Sequence, residues 1–198
     1  MPLLLALAVL FCCPAAADEA TGRPTMRQFS AGGALAKPPS ARELVDARVT
    51  LKARFREPLS HTETTAGALM AAETFMEAAL TEDDKPLKWL LLDEARRLGA
   101  AAGNADTIKR AIAIQSAAFE FDEIDAELGS LGQVPLLALD PRRATLMALA
   151  AEALADRAWA DGRIDMATDA QHLAIRSWER AGNRAAAQAA SAKLAGPR

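Results

Sequence analysis

From Ser40 to about Leu194, apolar residues recur every three or four positions, and Gly-Asn, Asp-Pro and Asp-Gly pairs cut that rhythm into helix-sized pieces. No stretch of alternating β-branched residues competes with it. Frequent alanine strengthens it, because alanine gives up no side-chain entropy in a helix. The expected fold class is therefore all-α, with antiparallel helical hairpins stacked as a short bundle or solenoid.

The first helix starts at Ser40, which has capping-box spacing with Glu43; Leu44, Ala47, Leu51 and Phe55 make its apolar stripe, and Pro58 is expected to close it. Thr64 or Thr65 caps a second helix with Leu69, Ala72, Phe75, Met76 and Leu80 inward. Asp84 caps a third, with Pro86 in its first turn, where a missing N–H is harmless. Leu87, Leu90, Leu91, Leu98 and Ala102 form its core face, and it stops at Gly103-Asn104. Ile108, Ala111, Ile112 and Phe119 carry the fourth. The segment 122–140 reads as an irregular connector punctuated by Gly129, Gly132 and Pro135, with a short helix near Ile124 to Leu128. After Asp140-Pro141 a long helix runs to about Ala160 and turns at Asp161-Gly162. Another spans roughly Ile164 to Ala181, and after Gly182-Asn183 an alanine-rich helix ends near Leu194. The helical domain is thus 40–196, with sub-units at about 40–121 and 141–196.

The N-terminus suggests an address. Leu3 to Cys13 is an unbroken apolar run, followed by Pro14 and the alanines 15–17 before the first charges at Asp18 and Glu19. That run is shorter than the ~20 residues that span a bilayer, and it ends in the small-x-small pattern of a signal-peptidase site. No Lys or Arg precedes it, a departure from the usual positive start. We expect a signal peptide 1–17, cleaved after about Ala17, and a flexible Gly/Pro/Ser-rich leader 18–39. The product is expected to be periplasmic or extracellular, with no membrane span in the mature form. Both cysteines, Cys12 and Cys13, lie in the cleaved segment, so the mature chain is expected to carry neither disulfide nor thiol nucleophile. A formal charge of −3 supplies no basic excess for nucleic-acid binding.

Placing Gly103-Asn104 on Gly182-Asn183 also aligns Ala95 with Ala174, Arg97 with Arg176, Ala102 with Ala181, Ala111 with Ala190 and Ala113 with Ala192, which suggests a duplicated helix-turn-helix unit. The stretch LADRAWADGRIDMATDAQHLAI, 154–175, resembles a degenerate tetratricopeptide repeat (TPR). Leu154 and Ala155 take the close-packing spot, Gly162 the turn, Ile164 the usual aromatic site, and Ala167 and Ala174 the small positions. Ala158 replaces the usual tyrosine, and no proline ends the unit. More broadly, AETFMEAALTEDDKPLKWLLLDEARRLGAAAGNADTIKRAIAIQSAAFEFD together with this later segment resembles uncharacterised exported bacterial helical-repeat proteins. The resemblance implies a TPR-like scaffold in an envelope setting, where such segments accompany carbohydrate-active or sugar-recognition modules. It supplies no catalytic residues.

Side-chain chemistry points the same way. There is no G-x-S-x-G elbow, phosphate loop or dinucleotide fingerprint, and only His61 and His172 offer an imidazole base. Asp161, Asp165, Asp169 and His172 are spaced by four, four and three residues. On one helix they would share a face, and carboxylates with an imidazole suit a divalent metal. Asp161 precedes the Gly162 turn, however, and a solvated acidic face accounts for Asp165, Asp169 and His172 as well. Glu120, Asp122 and Asp125 lack the spacing of a calcium loop and read as a helix boundary. Trp89, Trp159 and Trp178 are candidate binding residues, since indoles stack on sugars and anchor peptides, although each also falls where helix packing would use it.

The expectation is a non-enzymatic exported helical-repeat scaffold or protein-interaction module. It has no cofactor, no metal and no catalytic residue, and its partner is another protein or an envelope component. The alternative is a carbohydrate-associated or small-ligand binding module or enzyme of the cell envelope.

Overall fold

The computed structural model describes residues 34–195. The expected signal peptide, Cys12, Cys13 and the leader up to residue 33 lie outside the described residues. Among the described residues the fold is all-helical. Nine α-helices follow in order: α1 Ala41–Arg54, α2 Arg56–Ser60, α3 Thr65–Thr81, α4 Lys85–Ala101, α5 Ala105–Ala118, α6 Glu123–Gly132, α7 Pro141–Ala160, α8 Ile164–Arg180 and α9 Arg184–Ala195; a 3-10 turn at Leu136–Ala138 separates α6 from α7.

Local chemistry sets most of these boundaries. Ser40 Oγ accepts the Glu43 N–H while the Glu43 carboxylate accepts the Ser40 N–H at 2.7 Å, completing the expected capping box. Thr64, Asp84, Asn104, Asp122, Asp140 and Asn183 each accept an N–H from three residues on. Each such cap is worth about 0.5–2 kcal/mol. At the other end, α4, α7 and α8 stop alike. Gly103, Gly162 and Gly182 have φ of 62°, 72° and 76°, and the next residue donates back to the carbonyl five positions earlier: Asn104 to Gly99, Arg163 to Ala158 and Asn183 to Trp178.

Three-residue links return α4 onto α3, α5 onto α4, α8 onto α7 and α9 onto α8, so consecutive helices are also packing neighbours. One core joins α1, α3 and α4 through Leu51, Phe75, Leu87, Leu91 and Leu98, and Phe55 meets Phe75 edge-on at 5.4 Å. A second joins α5, α6, α7 and α8 through Ile108, Leu131, Met147, Leu154 and Leu173. Trp178 with Ala148, Ala187 and Ala190 seats α9. Much of each interface is alanine, which lets helix axes come close but leaves few large side chains to fix the pairing.

Several boundaries and faces differ from the sequence reading. The first helix ends at Arg54, not at Pro58; Pro58 instead sits in the first turn of α2. The reason is that proline clashes with, and cannot donate to, the carbonyl four residues earlier, and that residue is Arg54. Leu80, expected inside, is 47 % exposed, and α3 buries Gly67, Ala68, Ala71 and Ala79 beside Ala72, Phe75 and Met76. The connector 122–140 contains the ten-residue α6, longer than the short helix expected there. The end of the leader is not wholly detached: Ala36 accepts from Glu120 N–H at 2.7 Å and donates to the Ala118 carbonyl at 3.0 Å, an isolated parallel bridge to Phe119.

Candidate functional site

The three tryptophans are part of the packing. Trp89, half-buried on α4, meets Phe119 and Phe121 edge-on at 5.1 Å and 5.6 Å, and the Arg96 guanidinium lies 5.8 Å from the Phe121 ring. Trp178 is buried on α8, and its Nε1–H donates to Glu152 of α7 at 3.2 Å. Trp159 is half-buried against the second core, and its buried Nε1 meets no protein acceptor. The three do not gather at one place: Trp89 belongs with the α5–α6 link, Trp159 with α7 and Trp178 with α9.

Asp165, Asp169 and His172 are all exposed on α8, while Asp161 is the C-cap of α7 across the Gly162 turn. Among the described residues no three His, Cys, Asp or Glu side chains converge as a metal site. His61 is exposed at the end of α2, and its carbonyl lies so close to Gly67 that a Cβ there would be 1.8 Å from it. Asp122 caps α6 and also receives both Arg163 guanidinium nitrogens, at 2.7 and 2.6 Å. That hydrogen bonding, with the Asp125 N–H second, holds the Asp122 carboxyl below its ordinary value.

Among the described residues Glu127 is the charged group most deeply enclosed. Only 2 % exposed on α6, it pairs with Arg157 of α7, and Lys109 of α5 lies 4.0 Å away. The carboxylate thus draws three helices together. Gln171, also fully buried, donates to the Ala190 carbonyl at 2.8 Å and ties α8 to α9.

A hollow of about 630 Å³ lies where the α4–α5 turn meets the start of α7. Ala102, Gly103 and Asn104 form one wall, and Arg142, Arg143, Leu146 and Leu149 form the other. Arg143 is committed: its guanidinium lies 3.5 Å from the Asp140 carboxylate and donates to the Ala102 carbonyl at 3.5 Å. Asp140 is equally committed, because the Arg143 backbone N–H that it caps, followed by the Arg143 charge, holds its carboxyl below the usual range. Leu146 and Leu149 stand 54 % and 49 % exposed, outside the strip of Ala144, Met147, Ala148 and Ala151 that α7 buries. A second open hollow, about 560 Å³, is bounded by Phe121, Asp122, Arg157 and Arg163. Lys109, Arg142, Leu146 and Leu149 belong to no motif; the only local signal is a pair of leucines off the core stripe of α7, in the turns after Arg142-Arg143.

Comparison with protein-family models, curated proteins and solved structures gives no match. What the fold and surface define is a helical protein with no helix long and apolar enough, among the described residues, to cross a membrane.

Proposed function

We propose that this chain is a non-enzymatic, exported helical-repeat scaffold that binds another protein or an envelope component. The observation that carries the reading is the 630 Å³ groove beside the Gly103 turn, where two leucines about half exposed stand next to cationic side chains. Apolar side chains displayed as a pair and rimmed by charge are a common signature of protein docking.

The repeat part of the proposal is supported by the recurrence of one construction. The turn at Gly103-Asn104 and the turn at Gly182-Asn183 share the same glycine conformation, the same backward hydrogen bonds and the same asparagine cap on the next helix. Of the aligned alanines, 95 and 174, and 111 and 190, are fully buried, whereas Ala113 and Ala181 are half-buried and Ala192 is exposed. The TPR-like segment 154–175 falls on the α7–Gly162–α8 hairpin, with Ala167 and Ala174 buried as its small positions require. Stacked hairpins of this kind present extended surfaces to partners. The carbohydrate alternative has no comparable observation in its favour, since its candidate indoles are half-buried or buried.

The test is affinity capture from envelope extract with the mature chain, followed by purification of any captured protein and measurement of its binding to wild type and to Leu146→Ser/Leu149→Ser. Saturable binding that the leucine variant weakens supports the proposal. If no captured protein binds the wild-type chain saturably, the proposal fails.

A further inference from the structure

The two Gly-Asn turns share their backbone but not their surroundings. A Cβ on Gly103 would strike the Leu139 side chain, whereas nothing lies within 4 Å of the Cβ position on Gly182. Everything before that free turn is anchored. The Arg180 guanidinium donates to the Leu139 carbonyl, 2.9 Å from Nε, Trp178 Nε1–H donates to Glu152 of α7, and Leu173 sits in the core that α8 shares with α7. Beyond the turn the hold is slight. Of the 12 residues of α9 only Ala187 and Ala190 are buried, and Leu194, its one larger apolar side chain, is half-buried. The Lys193–Asp156 pair, 3.8 Å apart, joins two exposed side chains and adds little. Ala187 and Ala190 belong with Trp178 and Ala148 to a small cluster apart from the two main cores, so α9 can leave without opening either.

Gln171 works against closure. Its fully buried amide donates from Nε2 to the Ala190 carbonyl at 2.8 Å, but its Oε1 is buried with no protein donor. A buried acceptor left unmet raises the free energy of the closed form, and water relieves it once the helix lifts. A helix of 12 residues is also too short to persist alone in water, so α9 melts in one piece as it leaves. We infer that α9 is a latch: it opens as a unit about Gly182-Asn183 while α1 to α8 stay folded, and it thereby gates the Trp178 indole, which packs with Ala187 and Ala190 when the latch is closed. Segments held by few apolar contacts open in this way at a free energy well below that of global unfolding. The latch is independent of what the 630 Å³ groove binds, because that groove lies at the other Gly-Asn turn.

The test is amide hydrogen exchange followed by NMR on the full mature chain. The amides of Ala187 to Ala195 are expected to share one protection factor within about threefold, at least about 100-fold below those of Leu173, Ala174 and Ser177 in α8. Ala187→Asp/Ala190→Asp places charge in the contact and holds the latch open. In that variant α9 loses its protection, the amides of α4 and α8 keep theirs within about threefold, and acrylamide quenching of tryptophan emission rises above wild type. The rise disappears when Trp178→Phe is added to both chains. Protection in α9 equal to that in α8 would mean that α9 opens only with the whole domain, and a steady fall from Ala187 to Ala195 would mean simple fraying; either overturns the inference. Loss of α4 and α8 protection in the aspartate variant overturns it too, and so does quenching that stays at the wild-type level.

Discussion

Leu139 closes over Gly103: a Cβ built on Gly103 would lie 2.2 Å from Leu139 Cδ2, and the glycine's φ of 62° already disfavours any side chain. The Leu139 carbonyl in turn receives two hydrogen bonds from Arg180 near the end of α8, one of them from Nε at 2.9 Å. One residue of the α6–α7 link therefore reads the first Gly-Asn turn with its side chain and is held by the second hairpin through its backbone.

Gly103→Ala consequently meets two penalties, about 1–2 kcal/mol for the left-handed backbone and about 1–3 kcal/mol for overpacking against Leu139. Gly182→Ala meets only the first, because nothing lies within 4 Å of its Cβ position. Urea unfolding of the two variants is expected to show Gly103→Ala as the more damaging by at least about 1 kcal/mol. Equal losses would mean that Leu139 moves aside freely.

The Asp122–Arg163 pair makes a pH-dependent prediction. Its folded pKa lies below the ordinary 3.8, so its contribution is complete above that value and is lost as pH falls through the depressed folded value. Asp122→Asn keeps a capping oxygen but removes the charge, and both partners are partly exposed, so the loss near neutrality is expected to be small, about 0.2–1 kcal/mol. The diagnostic is acid unfolding: the stability difference between wild type and variant should shrink below the ordinary Asp range. A difference that stays constant into strong acid would count against the pairing.

Glu127 tests how α5, α6 and α7 are joined. Arg157→Ala leaves a carboxylate that is 2 % exposed with Lys109, 4.0 Å away, as its remaining countercharge, and is expected to cost about 1–3 kcal/mol. Arg157→Ala/Glu127→Leu removes the stranded charge and should recover part of that loss. A double variant less stable than the sum of the two single changes would contradict the stranded-charge account.

Local signals were legible in the sequence wherever one residue's chemistry suffices. Ser40 with Glu43, Asp84 with Pro86, Gly103-Asn104 and Asp140-Pro141 each specify their cap or turn without help from elsewhere in the fold. The face of α3 was legible through Ala72, Phe75 and Met76, but its edge was not: alanine lies all round that helix, and the close approach to α4 selects the small side, leaving Leu80 outside. Nor was the length of α6. Gly129, Ser130 and Gly132 weaken it, each glycine by about 1 kcal/mol relative to alanine, and it is held by the burial of Ile124 and Leu131 and by the Glu127 pair, all long-range. The groove escaped notice for the same reason: its walls come from α5 and α7, which are far apart in the chain.

Export makes an independent prediction. Mass spectrometry of protein recovered outside the cytoplasm should find a new N-terminus near Asp18, and therefore a chain without Cys12 and Cys13. An intact Met1 would contradict the address and leave the helical fold unaffected.

The most direct measurement of the central claim is the binding isotherm of the captured envelope protein with the mature chain, titrated in parallel against Leu146→Ser/Leu149→Ser. The account predicts saturable binding to wild type and a loss of at least about tenfold in the variant, since two half-exposed leucines leave the interface. Identical isotherms, or no captured protein that binds wild type saturably, would contradict it.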